Sequence, residues 1–340
     1  MSSQPPKPLV ERLNARLRNN PIVAVAIVVG TIVIAIASFT DATSKLIARF
    51  SKPSPASARA ALGQLNLPYT TEAFVASAGA GDASAVQLYL TAGMDPNSIA
   101  PDGSDALGAA AFNGRAPVVT LLLDAGAHIA DAMAERSALY SAARSRHNDI
   151  LQLLVARHPD RKAIDSAFAV AMRRKAGERS RNLEGARLLA AAGADVRGVA
   201  PEVFTRIWSE GFGDEDAVLA TRTLLDLGAV LADMDGVDGK PVTALTPLMG
   251  AATEGYAATV DLLLAQGARV DTRVAMPGRH ENGSTALICA ARGGSPAVVR
   301  ALLAKGARKS DTDETGMTAL DWARRFPSRA ETPELVRLLK

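Results

Sequence analysis

The 340-residue sequence predicts an all-α fold, a solenoid of about eight helix-turn-helix units, on three observations. A glycine stop recurs at Gly93, Gly126, Gly193, Gly228, Gly267 and Gly306, with His158 in the corresponding place of a degenerate copy. The spacings are 33, 32, 35, 35, 39 and 39. An apolar stretch at helical spacing precedes each stop: VQLYLTAG, VVTLLLDAG, ILQLLVARH, ARLLAAAG, TRTLLDLG, VDLLLAQG and VVRALLAKG. The composition is 48% hydrophobic but only 4% aromatic. Such a chain builds its core from Ala, Leu and Val, which suits closely packed helices better than a sheet sandwich.

Residues 283–307 (GSTALICAARGGSPAVVRALLAKGA) state the repeat most clearly. Ser284 or Thr285 is expected to cap a first helix. Ala286, Leu287, Ala290 and Ala291 give that helix a small apolar face, and Gly293 and Gly294 break it. Ser295 caps a second helix with Pro296 at its first position, where a missing N–H costs nothing. Val298, Val299, Leu302 and Leu303 form a fatter apolar face, and Gly306 ends the helix in the left-handed conformation. One such hairpin cannot bury its own apolar surface, so each unit needs a neighbour.

Taken from its start, the chain divides into four parts. Residues 1–20 are a Pro-rich, then basic tail. No charge falls between Arg18 and Asp41, and the run that opens at Pro21 and closes at Phe39 is apolar almost throughout. A helix crossing the hydrocarbon core needs about 20 such residues, and a run apolar on all sides is not a surface helix. Residues 21–40 are therefore expected to be one membrane span. The alternative is a cleaved signal peptide, whose apolar region is shorter, about 7–15 residues. Lys7, Arg12, Arg16 and Arg18 precede the run, and Lys45, Arg49 and Lys52 follow it. This near balance leans toward a cytoplasmic tail and an exported repeat domain. Residues 41–69 are a linker, and the repeats fill 70–340.

Charge argues in the same direction. Residues 1–57 hold seven basic and two acidic residues, a net of +5 out of +3 for the whole chain, so residues 58–340 carry −2. The basic excess flanks the apolar run and not the repeats. That distribution points to a membrane surface and not to nucleic acid.

First-helix signatures recur as DALGAAAFNG from Asp105, SALYSAARSR from Ser137, TPLMGAATEG from Thr246 and TALICAARGG from Thr285, with TALDWARR from Thr318 opening a short last unit. A period near 33 with this grammar resembles the ankyrin repeat, whose consensus is a Thr-Pro-Leu-His-x-Ala turn and helix start. Thr246-Pro247-Leu248 matches it best. The family histidine position holds Gly108, Tyr140, Met249, Ile288 and Asp321, a departure that bears on hydrogen bonds between turns and not on the fold. The resemblance covers about residues 70–340 and implies a binding surface of unspecified partner.

Departures from the pattern mark the candidate contact residues. The exits after two stops are long, at residues 230–245 and 270–284, and in ankyrin arrays this exit is the finger that projects from one edge. Insertions collect on one face of a repeat array, often the binding face. Asp235, Asp238, Lys240, Arg273, Arg279, His280 and Glu281 are the candidates there. A second set, Arg173, Arg174 and Lys175, opens a swollen connection in the fourth unit, where residues 173–181 hold five basic residues to one acidic. Its functional reading is a patch for an anion or acidic partner, and its plain reading is a solvated loop.

Little else suggests chemistry. Asp233, Asp235 and Asp238 resemble a calcium loop, but the fifth position is Val237 and the twelfth Ala244, where oxygen ligands are required. The four histidines lack metal-ligand spacing, and no phosphate loop or nucleophile elbow occurs. Cys289, the single cysteine, sits on the inner face of its repeat as a buried thiol. Trp208 and Trp322 are expected in the core, with the concave face as the alternative for Trp208. The Ala-rich composition is read as bacterial, so the sequon at Asn282 is discounted. The expected function is a non-catalytic protein-protein interaction module tethered to a membrane, without metal, cofactor or nucleic acid. A secreted effector and a regulatory subunit of an enzyme are the alternatives.

Overall fold

The computed structural model describes residues 54–129, 137–174, 180–211, 213–236, 240–325 and 329–340. The predicted span and its flanks, Lys175 and Asp238 lie outside these residues. Among the described residues there are seventeen α-helices and no strand, and none of these helices is long and apolar enough to cross a membrane.

The first helix, α1 (Pro55–Gln64), precedes eight helix pairs. They are α2 and α3 (Thr71–Ala80, Ala83–Thr91), α4 and α5 (Ala106–Phe112, Ala116–Asp124), α6 and α7 (Ala138–Ser145, Asn148–Val155), and α8 and α9 (Arg161–Ala171, Leu183–Ala191). Then come α10 and α11 (Val196–Glu210, Asp214–Asp226), α12 and α13 (Pro247–Glu254, Ala257–Ala265), α14 and α15 (Ala286–Gly293, Pro296–Ala304), and α16 and α17 (Ala319–Arg324, Thr332–Leu339). The first helices pack side by side in one row, the second helices in another. α1 joins the second-helix row against α3, burying Ala58 and Leu62, so a stretch assigned to the linker covers the end of the array.

Short side chains start the helices. Asp105, Ser137, Asp160, Thr246 and Ser295 each accept the backbone N–H three residues on, at 2.7 to 3.4 Å. Asp321, at the family histidine position, completes a capping box with Thr318. The expected cap at α14 is not made. Thr285 is the cap residue without a side-chain bond, and the Ser284 hydroxyl is buried without a partner. The second-helix stops hold as read: Gly306 has φ 88°, and His158 takes φ 53° in the glycine's place.

The two rows divide the core by size. Ala110, Ala111, Ala142, Ala143, Ala251, Ala252, Ala290 and Ala291 are buried on the first helices, where small side chains let neighbours approach. Leu122, Leu151, Leu154, Leu263 and Leu302 are fully buried on the second helices. Each is worth about 1.5–3 kcal/mol once covered. Trp208 is buried against Phe204, Tyr256 and Gly250. Trp322 is only half-buried: Arg292 and Arg325 lie over its ring, and its indole N–H donates to Asp313 at 2.6 Å. Cys289 is buried and its thiol is pushed up to about 11 by burial, so it carries no thiolate chemistry.

Candidate functional site: a groove along the first-helix row

Helical spacing places one cleft-lining stripe on each of three successive first helices, α6, α8 and α10. On α6 the stripe is Tyr140, which is buried, and Arg144, which is exposed. On α8 it is Lys162, Asp165, Ser166, Ala169 and, just past the helix end, Arg173. On α10 it is Val199, Glu202 and Arg206. The stripes of α8 and α10 and the Tyr140 ring enclose a cleft of about 320 Å³. At one end it shares Tyr140 and Arg173 with a cleft of about 130 Å³ that Arg144, Arg146, Arg174 and Asn182 also line. At the other it shares Glu202 with a cleft of about 480 Å³ walled by Pro201, Phe204, Met234, Val242 and Leu245. The groove crosses the third to sixth units, basic at one end and apolar at the other.

The long finger closes the apolar end. Residues 241–245 lie over α10, and the backbone of Val242 pairs in parallel with Val274 of the next finger. Val242 donates to the Arg273 carbonyl at 2.9 Å and accepts from the Ala275 N–H at 2.6 Å. Arg197 donates through Nε and Nη2, one edge of its guanidinium, to both oxygens of Asp233 and holds that carboxyl below the ordinary carboxylate range. Residues 241–245 thus wall this end of the groove.

Ion pairs organise the basic end. Arg181 is 3% exposed, with Nη2 2.7 Å from Asp216 and Nη1 3.0 Å from Glu210, both on the fifth unit. It also donates to the Met172 carbonyl. Arg174 lies 3.9 Å from Asp216. Next to Arg181, Ser180 accepts from Arg146 through its carbonyl at 2.9 Å and its hydroxyl at 3.3 Å. Three units are joined in series, and Arg146 is held at the rim of the cleft.

The predicted contact residues separate into three groups. Asp235 and Arg273 are used as ties between units. Asp235 is 3% exposed and accepts the Arg269 N–H at 3.0 Å, while its other oxygen lacks a partner and burial pushes its carboxyl up. Arg273 donates to the Gly283 and Thr312 carbonyls and pairs with Asp311 at 3.1 Å. Lys240, Arg279 and His280 are exposed on the fingers, with His280 2.6 Å from the more covered Glu281. Only Arg173 and Arg174 line the groove. Arg144, Arg146, Lys162 and Arg206 were missed, although a helical wheel of residues 161–173 puts Lys162 and Arg173 three turns apart on one face. Among the described residues no cluster of carboxylate, histidine or cysteine groups is suited to a metal.

A two-row helical solenoid with a groove along its first helices defines the class of the molecule, a repeat-built binding scaffold. The family model of ankyrin repeats, in three copies, matches residues 73–165 and 248–340, more than half of the chain. The chain belongs to the ankyrin repeat family. The matched blocks flank the fourth and fifth units, which carry most of the groove. Among solved structures, the chain is similar to the human ASB11 ankyrin repeat domain, with 19% identity over 78% of this chain and 96% of that one, at a TM-score of 0.39. No curated protein matches the sequence. Ankyrin repeats are generally non-catalytic scaffolds for protein–protein interaction.

Proposed function

We propose that this chain is a membrane-tethered adaptor whose groove receives an extended segment of a protein partner. The observation that carries the reading is the groove itself: residues of three successive first helices line neighbouring clefts, and residues 241–245 wall the far end. Exposed loops and open helix faces of rigid scaffolds commonly carry binding. The tether is the apolar run from Pro21 to Phe39, which is of spanning length. The near-balanced flanking charge favours export of the repeats.

Photo-crosslinking probes at Ser166 and Thr243 in the groove and at Arg279 on a finger tip test the site. Groove probes are expected to capture a partner; capture from Arg279 alone moves the site to the fingers. Membrane fractionation with N-terminal sequencing tests the tether, which is lost if the pellet is empty or the run has been removed. Protease digestion of spheroplasts then reads the orientation.

A further inference from the structure

We propose that the basic end of the groove binds the carboxylates of an acidic peptide segment, with an apolar residue of the same segment seated against Phe204 and Val242. This deepens the groove reading and rests on it.

The charges are sorted unevenly. Among the described residues, Arg144, Lys162 and Arg173 line the groove without a carboxylate partner. The acidic groups nearby are already engaged. Glu210 and Asp216 are held by Arg181, and Glu202 is held by Arg206 at 2.9 Å. Asp165 accepts the Asp195 N–H at 2.6 Å and faces Arg161 at 3.8 Å. Among the described lining residues the excess is positive, on a repeat domain of net charge −2 over residues 58–340. Arginine forks match planar oxyanions in a bidentate way that a point charge does not.

The rim arginine is held at a backbone position unusual for its type. The turn between paired helices is left-handed and glycine in other units, at Gly81, Gly114, Gly255 and Gly294. In the third unit Arg146 takes that place with φ 64°. A side chain kept at such a position, where the array elsewhere has glycine, is an outlier from which a functional role is inferred. Its hydrogen bonds to Ser180 preorganise it before any ligand arrives.

The occupant is a peptide and not a free anion because the basic cleft of about 130 Å³ shares Tyr140, Val170 and Arg173 with the next cleft of the groove. An ion fills the first part only, whereas a chain reaches the apolar wall near Phe204 and Val242.

The test uses the full chain and a fluorescein-labelled peptide made of a glutamate run, a Gly-Ser spacer and an apolar tail. Anisotropy is expected to show saturable binding that weakens as salt rises. Replacing the glutamates with glutamines, or combining Arg144→Ala with Arg173→Ala, is expected to weaken binding about tenfold or more, the effect of losing charge-assisted contacts. Both positions are exposed, so unchanged thermal melting confirms that the variant folds. Equal binding of the glutamine peptide, or no loss in the double variant, overturns the inference while leaving the groove reading intact. A phosphoserine peptide that binds far more tightly and is displaced by inorganic phosphate also overturns it, in favour of a phosphoryl ligand. Failure of every peptide, apolar tail included, removes the groove reading itself.

Discussion

Arg181 lies against Asp216 across the seam between the fourth and fifth units, with Nε 3.0 Å and Nη2 2.7 Å from one carboxylate oxygen. The arginine side chain is 2% exposed and the aspartate 13%. A charge this deep is stable only while paired, because desolvation is offset by the partner and by the Met172 carbonyl. The segment read as a basic surface loop therefore supplies an internal strut.

Arg181→Met is expected to lower stability by about 3 kcal/mol, since it takes the principal cation from Glu210 and Asp216, two mostly covered carboxylates, and leaves only Arg174 near Asp216. Urea unfolding followed by circular dichroism measures this. Arg181→Lys should recover only part, because one ammonium cannot span both acids as a fork does. A neutral Arg181→Met would mean the ion pair is not a strut.

Arg146 separates backbone strain from side-chain contact. Arg146→Ala and Arg146→Gly both remove the bonds to Ser180, but only glycine relieves the left-handed φ. Glycine should be the more stable by about 1 kcal/mol. Equal midpoints in chemical denaturation would show that the position is unstrained.

Gly250→Ala sets two effects against each other. Helix propensity favours alanine by about 1 kcal/mol. A Cβ there would come within 2.2 Å of the Trp208 ring, and overpacking costs about 1–3 kcal/mol. We expect net destabilisation with a changed tryptophan fluorescence. A more stable variant with the same spectrum would count against this packing.

Asp235 contributes a pH dependence of definite sign. Burial raises its folded carboxyl above the unfolded value of about 3.9. The folded state thus binds the proton more tightly, so the stabilising contribution is full below the unfolded value and is lost as pH rises through the folded one. Asp235→Asn has no such titration and can still accept the Arg269 N–H. Unfolding curves of both proteins across pH 3.5 to 7 should show the difference shifting toward the asparagine variant as pH rises. A constant difference would show that Asp235 does not titrate differently on folding.

Leu263→Asp and Leu302→Asp place a charge at fully buried positions of successive second helices. Because each unit is dry only when its neighbour is stacked, the C-terminal units should melt together. Hydrogen exchange would report this as joint loss of protection from about residue 247 onward. Protection lost in one unit alone would refute the coupling.

The repeat grammar was legible because it is written in local terms. A cap residue, an apolar stripe at helical spacing and a left-handed stop each act within a few residues, so Ser295, Leu302 and Gly306 declare their unit without reference to the rest of the chain. Lys162 and Arg173 share a face for the same reason. The roles of Asp235, Arg273 and Arg181 were not legible. Their partners lie about one repeat away: Arg269 for the first, Thr312 and Asp311 for the second, Asp216 and Glu210 for the third. A charged residue in a loop looks solvated until the neighbouring unit supplies its counter-charge.

The sequence alone determined the architecture, because a hairpin with one apolar face must stack on copies of itself. Stacking decided where the charges go. It turned Arg181 inward to Asp216, tied the long finger to its neighbour through Val242 and Val274, and drew the arginines of two units around one cleft. Those outcomes depend on distances between residues some 30 to 40 positions apart, which only the packed array sets.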